Sequence, residues 1–181
     1  MMLAGEADLL LPLYQGAEGQ ACLPDRQGWL RLKPGEFVYY PPGYPHTLQA
    51  TSEAPANYLM FKWYTPNPKQ NPNSLPFGKY KIYDSFSANE GREGFHTRTL
   101  FEGPSKCLTR FQCHTSILSP GAGYESHVDP YDVAIVVLEG KVETLGNHFC
   151  PYSVIFYPAG KSHGMFNPGH VPARYVVFEF Q

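Results

Sequence analysis

Long apolar runs are missing from this chain. No stretch of about eighteen apolar residues occurs in its 181 residues, so no transmembrane helix is predicted. An excess of one charge is missing too. The 14 Lys and Arg face 16 Asp and Glu, a formal net charge of −2, which leaves no basic footprint for a nucleic-acid partner. The opening residues, Met1-Met2-Leu3-Ala4-Gly5-Glu6, have neither the basic start nor the apolar stretch of a signal peptide, and a cytoplasmic location is expected. Cysteine is scarce. Cys22, Cys107, Cys113 and Cys150 form no CxxC pair and lie far from the best-placed histidines, which excludes a zinc ribbon. They read as free thiols packed like small apolar residues. No Ser-His-Asp order is present, and Gly121-Ala122-Gly123-Tyr124 is a turn, not a phosphate-cradling loop. No segment carries a long helical period.

Turn formers and aromatics are plentiful. There are 18 Pro and 17 Gly at short intervals, with 13 Tyr and 12 Phe, enough apolar surface for a real core. Between the turn residues lie short runs rich in Val, Ile, Tyr and Phe: Glu36–Tyr40, Tyr58–Trp63, Thr109–Leu118, Val133–Leu138, Ser153–Tyr157 and Arg174–Phe180. Short strands with regular turn signals predict an all-β sandwich or barrel. Val133–Leu138 and Val154–Tyr157 are almost continuously apolar, as strands covered on both faces are.

The chain also repeats itself. Gly35–Trp63 aligns without a gap on Tyr152–Phe180, and Tyr40, Pro41, Gly43, His46, Pro55, Ala56, Tyr58 and Phe61 meet identical residues from Tyr157 to Phe178. Upstream, Asp8–Gly16 resembles Asp132–Gly140 in pattern, which sets Leu3 and Gly5 against His127 and Asp129. Residues 1–64 and 77–181 therefore read as two copies of one β unit. Residues 65–76, rich in Pro and Asn, read as a linker or mobile loop. Phe77–Lys106 is expected to supply early strands of the second unit.

The second copy carries the chemistry. Gly121-x5-His127-x-Asp129 is followed by Asp132 and Gly140, then by Pro158-x-Gly160-x2-His163-x3-Asn167. Residues i and i+2 of a strand point to one side, so His127 and Asp129 can face one interior. Pro158 and Gly160 make a tight turn that returns His163 on the next strand. Imidazole plus carboxylate suits iron, manganese, zinc or nickel.

These motifs resemble the two motifs of the cupin superfamily. The first runs G-x5-H-x-H, three or four residues, E, six residues, G. The second runs G-x5-P-x-G-x2-H-x3-N. The first copy repeats the second motif as Gly35-x5-Pro41-x-Gly43-x2-His46; in the second copy Tyr152 replaces its opening glycine. The resemblance covers roughly residues 1–63 and 107–181. It implies a double-stranded β-helix, or jelly roll, in two barrels. It departs from the family at Asp129, where a second histidine is usual, and at Val133, where the glutamate falls. The expected metal ligands are His127, Asp129 and His163. Asp132 is a candidate fourth, provided that a bulge at Pro130-Tyr131 turns it inward. The alternative is a metal-free barrel with His127 hydrogen-bonded to Asp129 or Asp132. His46 has no partner ligand and reads as structural.

The resemblance implies a metal-dependent enzyme on a small polar metabolite, a carbohydrate or organic acid, of isomerase, epimerase or dioxygenase type. Asp132 or His114 would move the proton. A sugar-binding or sensing module without catalysis is the competing reading. Exposed sheet edges and a first barrel short of its opening strand predict a homodimer, with a misplaced start at Met1 or strands from elsewhere as further explanations.

Overall fold

The computed structural model describes residues 1–10, 28–64, 73–84 and 93–181. Cys22, most of Asp8–Gly16 and the linker residues 65–72 lie outside the described residues. Among the described residues the secondary structure is entirely β, without a helix that could cross a membrane. Two compact units form: Met1–Tyr83 with Ser105–Cys107, and Asp84–Pro104 with Leu108–Gln181.

The second unit holds β8 (Phe95–Gly103), β9 (Phe111–Leu118), β10 (Gly123–Val128), β11 (Asp132–Glu139), β12 (Val142–Thr144), β13 (Asn147–Phe149), β14 (Val154–Tyr157), β15 (Ser162–Phe166) and β16 (Ala173–Phe180). They form two antiparallel sheets, ordered β10-β15-β12-β13 and β14-β11-β16-β9-β8. Both sheets turn apolar side chains into one core. Val142 and Met165 come from the smaller sheet; Val133, Ile135, Val137, Tyr157, Tyr175 and Val177 come from the larger. Every residue of Val133–Leu138 is buried, in line with the uninterrupted apolar run. His96 and His148 lie within β8 and β13.

The first unit contains β1 (Met2–Ala4), β2 (Ala7–Leu10), β3 (Trp29–Leu32), β4 (Glu36–Tyr39), β5 (Thr47–Ala50), β6 (Asn57–Tyr58) and β7 (Gly78–Lys81). Its pairs are β1-β6, β3-β2-β5 and β4-β7. Met2, Ala7, Leu9, Leu30 and Leu32 make its core.

Strand register changes the alignment of the two copies. Met2 pairs with Tyr58 and Ala4 with Asn57, with a register shift between them. Val137 pairs with Tyr175 and Glu139 with Arg174, with the same shift. Outside the strands, Gly35 N–H donates to Met2 O as Tyr152 N–H donates to Val137 O. Strand β1 is thus the counterpart of the end of β11, and β2, between β3 and β5, is the counterpart of β12, between β13 and β15. Leu3 and Gly5 therefore correspond to Leu138 and Gly140, not to His127 and Asp129. The apolar pattern misled here because Ala7–Leu10 and Val133–Leu138 are both apolar β runs, and only pairing distinguishes them. Gly5 and Gly140 agree in detail, with φ of 69° and 71°. A Cβ on Gly5 would fall 2.7 Å from Pro55 O, and one on Gly140 would fall 2.5 Å from Pro172 O.

The middle segment divides between the units. Phe95–Gly103 pairs with β9, as expected of an early strand of the second unit. Gly78–Lys81 instead pairs antiparallel with β4. It holds the place beside β4 that Val133–Val136 hold beside β14.

Candidate metal centre

His127 and His163 reach each other from facing strands. They are direct partners in the antiparallel β10–β15 pair, and their ring centroids lie 4.6 Å apart. A register shift between Tyr124 and His127 sets the facing of His127. Gly164 accommodates it: a Cβ there would meet Tyr124 O at 2.8 Å and Ser126 N at 3.0 Å. The bulge lies in β10 itself, not at Pro130-Tyr131.

Asp129 follows His127 by two residues and closes the set. One ligand atom from each of His127, Asp129 and His163 lies within 4.8 Å of the others. Asp129 Oδ2 is 3.5 Å from Nε2 of each histidine. Both imidazoles use Nδ1 elsewhere. His163 Nδ1 is 2.9 Å from Lys161 O, and His127 Nδ1 is 3.3 Å from Glu125 O. A carbonyl can only accept, so Nδ1 carries the hydrogen, and in a neutral imidazole so held Nε2 is the lone pair. Two lone pairs and a carboxylate oxygen then face one space. Three acceptors repel unless a cation or shared proton lies among them, and this set fits a divalent transition metal, with backbone carbonyls fixing the tautomers.

His163 is the rigid member. It is 3% exposed, against 47% for the His127 side chain. Its ring stacks on Tyr157 with centroids 3.9 Å apart and planes 12° apart. The Tyr157 hydroxyl donates to Thr144 Oγ1 at 2.6 Å, and Thr144 donates to Gly164 O at 2.6 Å. The stack is thereby tied to the strand that bears His163. Burial pushes the Tyr157 hydroxyl pKa up, so it stays a donor at neutral pH.

Asp132 takes a different place from the expected ligand. Its Oδ1 accepts from Ala159 N at 2.8 Å, and Asp129 O accepts from Gly160 N at 2.8 Å. Both aspartates pin the Pro158–Gly160 turn that delivers His163. Asp132 belongs neither to the three-ligand cluster nor to the cavity wall. Asp132 and Val133 are neighbours on one strand, and it is Val133 that faces the cavity.

The cavity has a volume of about 160 Å³, and the three ligands lie in its wall. His114 lines it as well, from β9. Burial pushes the His114 imidazole down to about 4, so at neutral pH the ring is uncharged. The unfolded chain then binds more protons than the folded one between pH 6.5 and 4, and stability falls as pH drops through that window. The loss amounts to about 3 kcal/mol at the acid end. Wild-type protein should therefore lose that much more stability than His114→Gln when denaturant midpoints at pH 7 and pH 4 are compared. An equal loss in both would show that His114 takes up its proton in the fold.

Sequence reading missed Tyr157, Thr144 and Glu179. Period-two alternation could have found the last: Tyr175, Val177 and Glu179 share one face of β16 and all line the cavity.

His46 shows how the first copy differs. Its Nδ1 is 2.8 Å from Tyr44 O, the counterpart of the His163 contact with Lys161. Its Nε2, however, is 2.9 Å from the Tyr40 hydroxyl. Tyr40 corresponds to Tyr157, but the position of Thr144 is taken by Leu9, which offers no acceptor. The tyrosine bonds to the histidine instead.

No protein-family model and no curated protein matches the sequence. Solved structures do. A putative glyoxylate-induced protein from Pseudomonas aeruginosa superposes with a TM-score of 0.67 at 14% identity, over 99% of this chain and 63% of its own. The cupin domain of an XRE-family transcriptional regulator from Enterobacter cloacae matches 49% of this chain and 98% of its own, at 19% identity and a TM-score of 0.44. A cupin superfamily protein from Desulfitobacterium hafniense matches 51% of this chain and 82% of its own, at 14% identity and a TM-score of 0.42. Cupin-fold proteins are among its structural neighbours. At these identities the likeness is one of fold. The all-β architecture expected from the sequence is the one found, and the Pseudomonas protein extends the likeness along the whole chain.

Proposed function

We propose that this is a two-barrel cupin whose second unit is a metal-dependent enzyme acting on a small polar metabolite, a carbohydrate or organic acid, by isomerase, epimerase or dioxygenase chemistry. One observation carries the reading: three acceptors, His127 Nε2, His163 Nε2 and Asp129 Oδ2, converge with both imidazole tautomers fixed from behind. Two histidines and one carboxylate leave coordination positions open toward the cavity. A bound ion would supply Lewis acidity to a carbonyl or hydroxyl there. The protein's own part is to orient the ligands through Tyr157, Thr144 and the pinned turn.

The experiment is elemental analysis of protein purified without chelator or affinity tag, followed by turnover on a metabolite panel with Fe, Mn, Zn and Ni supplied separately. About one equivalent of metal with turnover supports the reading. One equivalent without turnover on any substrate would favour the binding module over the enzyme.

A further inference from the structure

Strand pairing sets a carboxylate beside the residue where the sequence has none. Val133 occupies the family's glutamate position, and its direct cross-strand partner is Glu179 on β16. Paired residues of adjacent strands point to the same face, and both line the cavity. The Glu179 side chain is 14% exposed. Around it stand Gln181 Nε2, which donates to Oε2 at 3.3 Å, His114 Nδ1 at 3.7 Å from Oε1, Arg110 at 3.9 Å from Oε2, and the Tyr131 hydroxyl. It is not part of the three-ligand cluster. Its carboxylate therefore faces the space beside the ligands and does not complete them.

We propose that Glu179 is the group that accepts the hydroxyl proton of a metal-bound ligand, and that the cavity selects an uncharged hydroxycarbonyl compound over a carboxylic acid. The inference rests on the metal-site reading above and narrows its substrate class. Among the described residues the charged groups in the cavity wall are two carboxylates, Asp129 and Glu179, with neutral His114 between strands. A divalent ion balances those two charges. An added carboxylate would face the Glu179 carboxylate, whose Arg110 neighbour is already paired with Glu102, and the two like charges would repel. A hydroxyl, in contrast, would donate to Glu179 and leave the carbonyl oxygen for the ion that His127, Asp129 and His163 would hold. No bond beyond that hydrogen bond is needed for recognition. For catalysis the proton passes to a Glu179 carboxylate oxygen and returns from it, so the carboxylate is regenerated. The hydrogen bond from Gln181 Nε2 and the nearby Arg110 guanidinium hold the Glu179 carboxylate in place.

The test uses the full chain loaded with Co²⁺, whose visible spectrum reports ligation without any turnover. Two small probes of similar size are titrated: dihydroxyacetone, uncharged, and glycolate, charged. With Glu179→Gln, cobalt stoichiometry and the unfolding temperature should stay as in wild type. Dihydroxyacetone should bind about tenfold more weakly, the order of one hydrogen bond to a charged group, and glycolate about tenfold more tightly. Glu179→Asp should restore the wild-type order of the two probes. Wild-type protein that holds cobalt but does not respond to dihydroxyacetone overturns this inference and leaves the metal reading standing. So do two probes that shift together or not at all in Glu179→Gln. Cobalt lost from Glu179→Gln would make Glu179 a ligand and overturn the proton-acceptor role. Wild-type protein that takes up no cobalt overturns both.

Discussion

Protein carrying His127→Ala or His163→Ala is expected to retain no stoichiometric metal, whereas His46→Ala retains the full complement. The argument is the count of converging lone pairs. One imidazole cannot hold a divalent ion against water, but three fixed donors can. His46 cannot join such a set because its Nε2 is already taken by the Tyr40 hydroxyl at 2.9 Å. Elemental analysis of the three variants reads the result directly. Thermal unfolding gives a second readout, since metal at a hundred times its dissociation constant stabilises the native state by about 2.7 kcal/mol. That increment should vanish in His127→Ala and His163→Ala and persist in His46→Ala. The His127 side chain is half exposed, so its variant should fold, and it separates ligand loss from fold loss better than His163 does. Equal metal loss from His46→Ala, with the fold intact, would place the site in the wrong copy.

Gly140→Ala should destabilise the second unit by about 3 kcal/mol or more, a fall of roughly 12–24 °C in its Tm. Two costs add. The φ of 71° lies in the left-handed region, unfavourable for any residue with a Cβ. That Cβ would also lie 2.5 Å from Pro172 O and 2.7 Å from Ala173 Cα, both backbone, which cannot swing away. Gly160→Ala isolates the first cost. Its φ is 80°, but no atom lies within 4 Å of the added Cβ, so about 1–2 kcal/mol is expected. Gly5→Ala should behave like Gly140→Ala within the first unit, where Pro55 O and Ala56 Cα make the same close contacts. Calorimetry that found Gly140→Ala and Gly160→Ala equally stable would remove the close-contact argument.

Tyr152 shows a related strain already present in the native chain. It replaces the motif's opening glycine, yet its φ is 69°, against 79° for Gly35 in the first copy. The hydrogen bond from its N–H to Val137 O at 2.7 Å holds the turn in this conformation.

Spacing along the chain was enough to determine the β class, the short strands, the repeated turn and the placing of Asp129 two residues after His127. Those features are local: a period of two, a Pro-x-Gly turn, and residues two apart on one strand. What it could not determine was which strands become neighbours. Hydrogen-bonded register between strands far apart in sequence assigns β1 to the end of β11, sends Gly78–Lys81 to β4, and sets Glu179 beside Val133. The same register moves the bulge to β10 and gives Asp132 to the Ala159 N–H. An apolar strand reads alike wherever it pairs, because its side-chain pattern records only which face is buried. The identity of the neighbour is decided when the backbone amides of distant segments find one another, and it is there that the cavity wall acquires its second carboxylate, Glu179.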